Sequence, residues 1–191
     1  MRIGIDIDET LCDTLKYLYD SVIKWNRENG DKYEEKESES WDTVVAWSEE
    51  DYNDYMSRYY EDTILNMEVT EEAKRVINDW AISGVEIFII TARGCEGQDL
   101  DKITYDWVKK NGINANYIIT NVRNKGEFCR INKIDFMIDD YIKNIQDCIE
   151  NSKTTRPILF TGIKKSDNAD YKEYEVGSWE EINEIVKAGG N

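Results

Sequence analysis

The first ten residues constrain the fold more than any other stretch, because they predict a strand that ends in paired acids. Isoleucines at positions 3, 5 and 7 lead into Asp6 and Asp8, and Thr10 follows. Residues two apart on a strand point to the same side. We therefore expect both carboxylates at the C-terminal end of this strand, which is the edge where open parallel sheets bind their ligands.

Two carboxylates this close repel one another unless a cation or a proton lies between them. Magnesium is the natural neutralising ion, and a carboxylate beside it can also act as a nucleophile. A strand followed by an acidic turn would explain the same residues without any function. The Asp-x-Asp pattern by itself leaves both interpretations open.

Composition limits the class of protein. The 191 residues are 40% apolar and 34% charged with a single proline, which favours a helix-rich globular protein with one core and a small insertion. A net charge of −16 argues against binding to nucleic acid polymers or anionic membranes, since both need basic patches. No apolar run is long enough to span a bilayer.

The chain has no histidine, which excludes histidine-dependent triads and histidine-ligated metals. Cys12, Cys95, Cys129 and Cys148 form no Cys-x-x-Cys pair, so free thiols in a reducing compartment are favoured over disulfides or zinc. The first residues lack the basic and apolar regions of a signal peptide. We expect a cytoplasmic protein.

Helices and strands alternate along most of the chain. An amphipathic helix is predicted from Leu11 to about Trp25 and is stopped by Asn29-Gly30-Asp31. Further helices are predicted over 70–84, about 99–110, about 125–131, 142–149 and from 178 onward, with strands at 85–90, 117–120, 134–138 and 157–160, and a frayed tail at 188–191. This rhythm predicts an α/β fold with a doubly wound, Rossmann-like parallel sheet.

Residues 12–66 are predicted to form a small helical cap, inserted into a core made of residues 1–11 and 67–191. This segment is rich in aromatic residues, including Trp41, Trp47 and the tyrosines between 52 and 60. The rings can form the interior of the helical module, or some can line a pocket and stack on a planar group of a ligand. Both interpretations can hold for different rings.

Polar residues recur where the predicted strands end, and the carboxyl ends of parallel strands share one edge. The set is Asp6 with Asp8, Thr91 with Arg93, and Asp139 with Asp140, while Lys125 and Lys133 flank the strand before the last pair. Converging carboxylates make a Mg²⁺ site, and threonine, lysine and helix N-termini can hold a phosphate. An Asp-Asp pair alone would also suit a helix N-terminus.

Asp6-Ile-Asp8-Glu-Thr10, Ile90-Thr91-Ala-Arg93, Lys125 and Ile138-Asp139-Asp140 resemble the four ordered motifs of the haloacid dehalogenase (HAD) superfamily of phosphatases. The helical segment after the first motif resembles the C1-type cap of that superfamily. The aromatic cap and the Thr-Ala-Arg sequence are most similar to its 5′(3′)-deoxyribonucleotidase-like branch.

The resemblance implies a role for each residue. Asp6 would attack phosphorus to form an aspartyl-phosphate. Asp8 would act as general acid and then base, with its backbone carbonyl on Mg²⁺. Thr91 and Lys125 would bind the transferred phosphoryl group.

Metal ligands and neighbouring cations follow from the same resemblance. Asp139 would complete the metal site with Asp6, and Asp140 would join it directly or through water. Lys125 is preferred to Lys133 because it opens a predicted helix at the usual distance before the acidic pair. The sequence leaves two alternatives open for Arg93, a contact with phosphate or an ion pair at the surface.

We therefore expect a Mg²⁺-dependent phosphomonoesterase, a 5′-nucleotidase for (deoxy)nucleoside monophosphates, with Trp41 and Trp47 among the residues that bind substrate. The alternatives are a phosphatase for sugar phosphates or other small metabolites, and a non-catalytic metal-binding regulatory protein. The expected partner is a small phosphate ester, and the chain is expected to be a monomer or homodimer.

Overall fold

The structure, a computed structural model, describes residues 1–38, 40–94, 100–163 and 169–189. One parallel sheet runs through it in the strand order β3-β2-β1-β4-β5-β6. The strands are β1 (Arg2–Ile5), β2 (Glu86–Ile90), β3 (Tyr117–Ile119), β4 (Phe136–Asp139), β5 (Arg156–Phe160) and β6 (Glu175–Val176). β1 pairs with β2 on one side and β4 on the other. The strand order therefore reverses beside β1, which places the ligand crevice at its carboxyl end.

The helices cover both faces of this sheet. Those described are α1 (Thr14–Glu28), α2 (Glu49–Tyr55), α3 (Glu61–Asn66), α4 (Glu71–Ile82), α5 (Leu100–Lys110), α6 (Lys125–Asn132), α7 (Ile142–Asn151) and α8 (Trp179–Gly189). A π-helical turn, Met56–Tyr60, joins α2 and α3 without a break. Short 3₁₀ segments lie at Trp41–Thr43 and Ala169–Tyr174. The predicted α/β fold with a doubly wound parallel sheet is confirmed.

The central strand is buried on both sides. The isoleucines at positions 3, 5 and 7 have no exposed surface. A Cβ atom at Gly4 would lie 2.7 Å from the side chain of Ile90 and 2.8 Å from that of Met137. Glycine at this position therefore lets the neighbouring strands pack closely against β1.

Buried apolar side chains form three clusters. The largest lies between the sheet and its covering helices, and a smaller one joins the sheet to α6 and α7. The remaining cluster belongs to the helices between β1 and β2, which we call the inserted helices. It consists of Val22, Ile23, Trp25, Val44, Val45 and Tyr55, with further aromatic rings packed around them. We call it the aromatic cluster. The inserted helices thus bury an apolar interior of their own.

Several element boundaries differ from the sequence prediction. The first helix begins at Thr14 rather than Leu11, because the side chain of Asp13 caps it by accepting from the Lys16 N–H at 3.1 Å. Thr70 precedes α4 as predicted, but its hydroxyl makes no capping hydrogen bond. β6 was not predicted, because a strand of two residues is too short to show an alternation of apolar and polar side chains.

Cys12, Cys129 and Cys148 are buried free thiols, and Cys95 lies outside the described residues. Asp99, where a helix start was predicted, and the last two residues of the tail also lie outside them. Ala188 and Gly189, which were predicted to fray, are instead the last residues of α8. None of the helices traced in the described ranges combines the length and the apolar character that a membrane span requires.

Candidate active site

The carboxyl ends of β1 and β4 bring three acids together. The N–H of Asp6 donates to the carbonyl of Ile138 at 3.0 Å, which continues the strand pairing one residue beyond β1. Asp139 is the last residue of β4, and Asp140 follows it. Carboxylate oxygens of Asp6, Asp139 and Asp140 all lie within 4.8 Å of one another. We call these three residues the acidic cluster.

Lys125 lies inside this cluster. It is the first residue of α6, and only 1% of its side chain is exposed. Its Nζ donates to Asp139 Oδ2 at 2.6 Å and to Asp6 Oδ1. Burial would lower the pKa of the ammonium, but the two carboxylates outweigh it and raise that pKa. Lys133, in contrast, is an exposed residue at the end of α6 with a left-handed backbone (φ 53°).

The backbone and side chains of α7 hold Asp139 in place. The N–H of Tyr141 donates to Asp139 Oδ1 at 2.9 Å, and Asn144 Nδ2 donates to both oxygens at 2.9 and 3.0 Å. Sequence reasoning missed Asn144. Its position in the first turn of a helix, directly after an acidic strand end, is the signal that could have identified it.

Burial and crowding raise the pKa values of two acids. Burial, together with the nearby Asp139 and Asp8, raises the pKa of Asp6 to about 7 even though Lys125 opposes this change. Burial also raises the pKa of Asp140 to about 8, with Asp6, Asp139 and Glu9 adding to the effect. Among the described residues, these three carboxylates face one ammonium, that of Lys125. When all are ionised, two negative charges remain uncompensated, which suits a divalent cation.

Asp8 is held by Arg93. Arg93 Nε lies 3.0 Å from both carboxylate oxygens, and Nη2 lies 2.5 Å from Oδ1. The hydroxyl of Thr14 donates to the same oxygen at 2.7 Å. Burial acts to raise the pKa of Asp8, but the charge and hydrogen bonds of Arg93, aided by Thr14, hold it below its ordinary value. Of the two alternatives for Arg93, the structure shows an ion pair, but it is formed with Asp8 and only 8% of the arginine side chain is exposed, so it does not lie at the surface.

Thr91 directly follows β2 at the same edge of the sheet. It is fully buried, its N–H donates to the carbonyl of Ile119 at 3.0 Å, and its hydroxyl accepts from the Arg93 N–H at 3.1 Å. The loop that follows is tied to the loop after β3, because the N–H of Asn121 donates to the carbonyl of Arg93 at 2.7 Å. These contacts fix the backbone around Thr91 and Arg93.

A cavity of about 280 Å³ adjoins Asp8 and lies between the sheet edge and the inserted helices. Its described lining consists of Asp8, Glu9, Thr14, Leu15, Leu18, Ser40, Trp41, Tyr60, Ile64 and Arg93. The structure therefore brings Trp41 to the cavity wall. We call this space the Asp8 cavity.

Trp41 and Trp47 are both partly buried and both pack against the aromatic cluster, with their ring centroids 6.3 Å apart. The ring centroid of Trp47 lies 5.6 Å from that of Trp25 and 5.1 Å from that of Tyr55. Its Nε1 donates to the carbonyl of Asp42 at 2.9 Å. Trp47 is not among the described residues that line the Asp8 cavity, and these contacts are all with residues of the helical insertion.

Solved structures share this architecture over nearly the whole chain. A haloacid dehalogenase-like family hydrolase from Streptococcus pneumoniae is 13% identical with a TM-score of 0.72, and the match covers 97% of each chain. A protein described as a predicted phosphoglycolate phosphatase from Haemophilus somnus is 12% identical, with a TM-score of 0.68 over 96% of each chain. A 2-haloacid dehalogenase from Pseudomonas syringae is 12% identical, with a TM-score of 0.59 over 98% of each chain.

At these identities the likeness defines the fold, which phosphatases and dehalogenases have in common. The sheet of this chain thus has the fold of these hydrolases, with a cluster of acids at its edge. A comparison with curated protein sequences gave no match. A family model does match, over residues 1–189, and the chain belongs to that family, described as 5′ nucleotidase, deoxy (pyrimidine), cytosolic type C (NT5C). The protein is accordingly a hydrolase of the phosphatase class.

Proposed function

We propose that the protein is a Mg²⁺-dependent phosphomonoesterase that forms an aspartyl-phosphate on Asp6, with (deoxy)nucleoside 5′-monophosphates as substrates. The observation that carries this proposal is the acidic cluster around Lys125, which lies beside the cavity that holds Asp8. Nucleophile, phosphate-binding cation and leaving-group acid are thus adjacent. Membership of the nucleotidase family supports the choice of substrate, and a cytoplasmic location is part of the proposal.

The residues present fit a magnesium ion. Asp6, Asp139 and Asp140 offer hard oxygen ligands within 4.8 Å of one another, and the backbone carbonyl of Asp8 is the fourth donor that we propose. A bound ion would offset the charge that otherwise makes the cluster repel a phosphate dianion.

Lys125 and Thr91 are the proposed binders of the phosphoryl group. An ammonium has three N–H donors, and two of those on Lys125 are engaged by Asp6 and Asp139. The third remains to meet an oxygen of the transferred group. The hydroxyl of Thr91, at the end of the neighbouring strand, is a further donor. Preorganised donors of this kind stabilise charge that develops in the transition state.

Two displacements at phosphorus complete the reaction. In the first, an Asp6 oxygen bonds to phosphorus, the bond to the ester oxygen breaks, and Asp8 gives its proton to the departing oxygen. In the second, Asp8 takes a proton from water, the resulting hydroxide bonds to phosphorus, and Asp6 leaves as a carboxylate. In the first step Asp8 must be protonated, and a phosphate dianion beside it favours that form. In the second step Asp8 must be ionised, and the ion pair with Arg93 favours that form.

We propose that the helical segment 12–66 acts as the cap that recognises the leaving group. Trp41 and Tyr60 present aromatic rings to the Asp8 cavity, and apolar side chains of α1 and α3 complete its wall. A nucleoside has a flat base on which such rings can stack. Its ester oxygen would leave phosphorus beside Asp8. Stacking of a base on an aromatic side chain contributes about 1–3 kcal/mol.

The test is phosphate release from a panel of deoxynucleoside monophosphates and sugar phosphates, with Mg²⁺ and with EDTA. We expect nucleotides to be preferred, and Asp6→Asn and EDTA each to abolish release. Equal release by wild type and Asp6→Asn would refute the nucleophile. A preference for sugar phosphates would refute the substrate class. No turnover by folded, metal-loaded protein would favour the non-catalytic alternative.

Trp41 and Trp47 provide a matched pair for the substrate proposal. Trp41→Leu should raise KM for nucleotides by about 5- to 150-fold, the equivalent of one lost stacking contact. Both variants should lower the melting temperature, because both rings pack on Tyr55 in the aromatic cluster. Trp47→Leu should do so with little change in KM, because Trp47 is not among the described residues that line the Asp8 cavity. The reverse result would exchange the roles of the two rings.

A further inference from the structure

The N-terminus of α6 carries Lys125, and the residue before it does not cap this end of the helix. Lys125 is the first residue of α6, and the side chain of the preceding Asn124 makes no capping hydrogen bond. The first amides of a helix have no partner within the helix, and the side chain at the capping position usually accepts from one of them. In this protein a partner comes from another helix.

Asp147, on α7, is that partner. The N–H of Gly126, the second residue of α6, donates to Asp147 Oδ2 at 2.6 Å. The other carboxylate oxygen accepts from Asn151 Nδ2 at 2.7 Å, one turn further along α7. The helix dipole also favours a carboxylate at a helix N-terminus. Asp147 thus caps α6 across the interface between the two helices.

Gly126 lets the two helices approach closely at this point. A Cβ atom at Gly126 would overlap the carbonyl group of Asp147 and would lie 2.9 Å from the Cγ atom of its side chain. The carbonyl belongs to the backbone of α7, so it could move aside only if the helix moved as well. Both the backbone and the side chain of Asp147 therefore meet α6 one residue after Lys125.

The same face of α7 also holds Asp139. Asn144, three residues before Asp147, donates to both carboxylate oxygens of Asp139 at 2.9 and 3.0 Å. Residues three apart are neighbours on the surface of a helix. Since Lys125 Nζ donates to Asp139 Oδ2 at 2.6 Å, one face of α7 fixes both partners of this buried ion pair.

We infer that Asp147 is a positioning residue for phosphoryl transfer, which acts by holding the start of α6 and with it the ammonium of Lys125. This inference rests on the proposed function and adds a residue that belongs neither to the acidic cluster nor to the described lining of the Asp8 cavity. Without the cap, the backbone at Lys125 can shift, and its ammonium then meets Asp6 and the phosphoryl group less well. A misplacement of about 1 Å can lower a rate about 100-fold.

The test is kcat for phosphate release from the preferred ester of the substrate panel, with saturating Mg²⁺ and below the melting temperature of every variant. Asp147 is only partly buried, so Asp147→Ala should fold; it should lower kcat about 10- to 100-fold. Asp147→Asn keeps an oxygen that can accept from the Gly126 N–H and should keep kcat within about threefold of wild type. Asn151→Ala removes only the other contact of Asp147 and should also leave kcat within about threefold.

Two further variants separate the position of Lys125 from general stability. In a chain that carries Lys125→Met, adding Asp147→Ala should change kcat by less than about twofold, because the group that Asp147 positions is already gone. Thr155→Val is the control for stability, since the buried hydroxyl of Thr155 donates to the carbonyl of Ile134 at 2.7 Å, directly before β5 and at the opposite edge of the sheet from the acidic cluster. It should lower the melting temperature and leave kcat at the wild-type value.

The outcomes distinguish this inference from the function beneath it. Equal kcat for wild type and Asp147→Ala would overturn the role of Asp147 and leave the phosphatase intact. An undiminished effect of Asp147→Ala in the Lys125→Met chain would also overturn it, because the effect would not pass through Lys125. So would a loss of kcat in Thr155→Val as large as that in Asp147→Ala, since lost stability would then explain both. If wild type with Mg²⁺ hydrolyses no ester of the panel, the proposed function falls, and the inference with it.

Discussion

Replacing Lys125 by methionine tests the electrostatic design of the site. Methionine has a similar length and no charge, so the change leaves Asp6 and Asp139 facing each other without the ammonium between them. All three side chains are nearly inaccessible to water, with exposed fractions of 1% for Lys125, 8% for Asp6 and 0% for Asp139. Screening by solvent is therefore weak at this position.

The magnitude follows from the geometry. At 2.6 Å and an effective dielectric constant of about 20, the attraction between Lys125 and Asp139 amounts to about 6 kcal/mol before desolvation is subtracted. Removing one partner of a buried ion pair costs a net of about 3–5 kcal/mol, because the remaining charge is stranded. For a chain of this size that corresponds to a decrease in melting temperature of about 6–20 °C.

The assay is thermal unfolding followed by circular dichroism, in EDTA and then in Mg²⁺, at pH 8. Lys125→Met should melt well below wild type in EDTA and gain more from Mg²⁺ than wild type does, since the ion supplies the missing positive charge. Its kcat should remain about 10²- to 10³-fold lower even with saturating Mg²⁺. Lys133→Met, at the exposed end of α6, is the control and should change neither the melting temperature nor kcat.

A melting temperature of Lys125→Met within about 2 °C of wild type in EDTA, a shift of less than about 1 kcal/mol, would refute this reasoning. Such a result would mean that the buried lysine does not compensate the acids.

Three other perturbations follow from the same contacts. In the folded protein the pKa values of Asp6 and Asp140 are raised to about 7 and about 8. Between about pH 4 and pH 8 the folded state therefore retains protons that the unfolded chain has released. The free energy of unfolding of the metal-free protein should accordingly fall as the pH rises through this range. The Mg²⁺-induced rise in melting temperature should shrink as the pH falls from 8.5 to 6, and a pH-independent rise would contradict this. Thr14→Val removes the hydroxyl that donates to Asp8 at 2.7 Å and should lower kcat about tenfold with little change in KM, measured by phosphate release. Gly94→Ala should lower the free energy of unfolding in urea by about 1–3 kcal/mol, since φ is +136° and the new Cβ would lie 2.9 Å from that of Asn121. Gly84→Ala is the control, because no atom lies within 4 Å of its added Cβ. An equal loss of stability in both variants would show that the contact with Asn121 is irrelevant.

The sequence predicts the sheet well because its strands are short apolar runs that end in polar residues. Asp6 and Asp139 are 133 positions apart in the chain, yet each follows a fully buried run of β1 or β4. Parallel pairing of adjacent strands then leaves them at the same edge. Local patterns and one rule about parallel sheets are sufficient for that conclusion.

Side-chain partners are harder to predict, because they depend on distances that no local pattern encodes. The alternatives for Arg93 stayed open until the structure showed its guanidinium on Asp8, 85 positions away. Trp41 and Trp47 are equivalent in the sequence and both pack against the aromatic cluster, but among the described residues Trp41 lines the Asp8 cavity and Trp47 does not. Asn144 was missed because an asparagine in a first helical turn is common.

The π-helical turn at Met56–Tyr60 sets the rotational phase of the helix that follows it. Each residue of an α-helix advances by about 100° around the axis, and a π turn accommodates one additional residue. Tyr60 and Ile64 therefore face the Asp8 cavity, while Tyr55, just before the turn, faces the aromatic cluster. Deleting a single residue there would rotate α3 and replace both side chains in the wall. A change in helix length could thus alter substrate choice without any substitution at a residue that contacts the substrate.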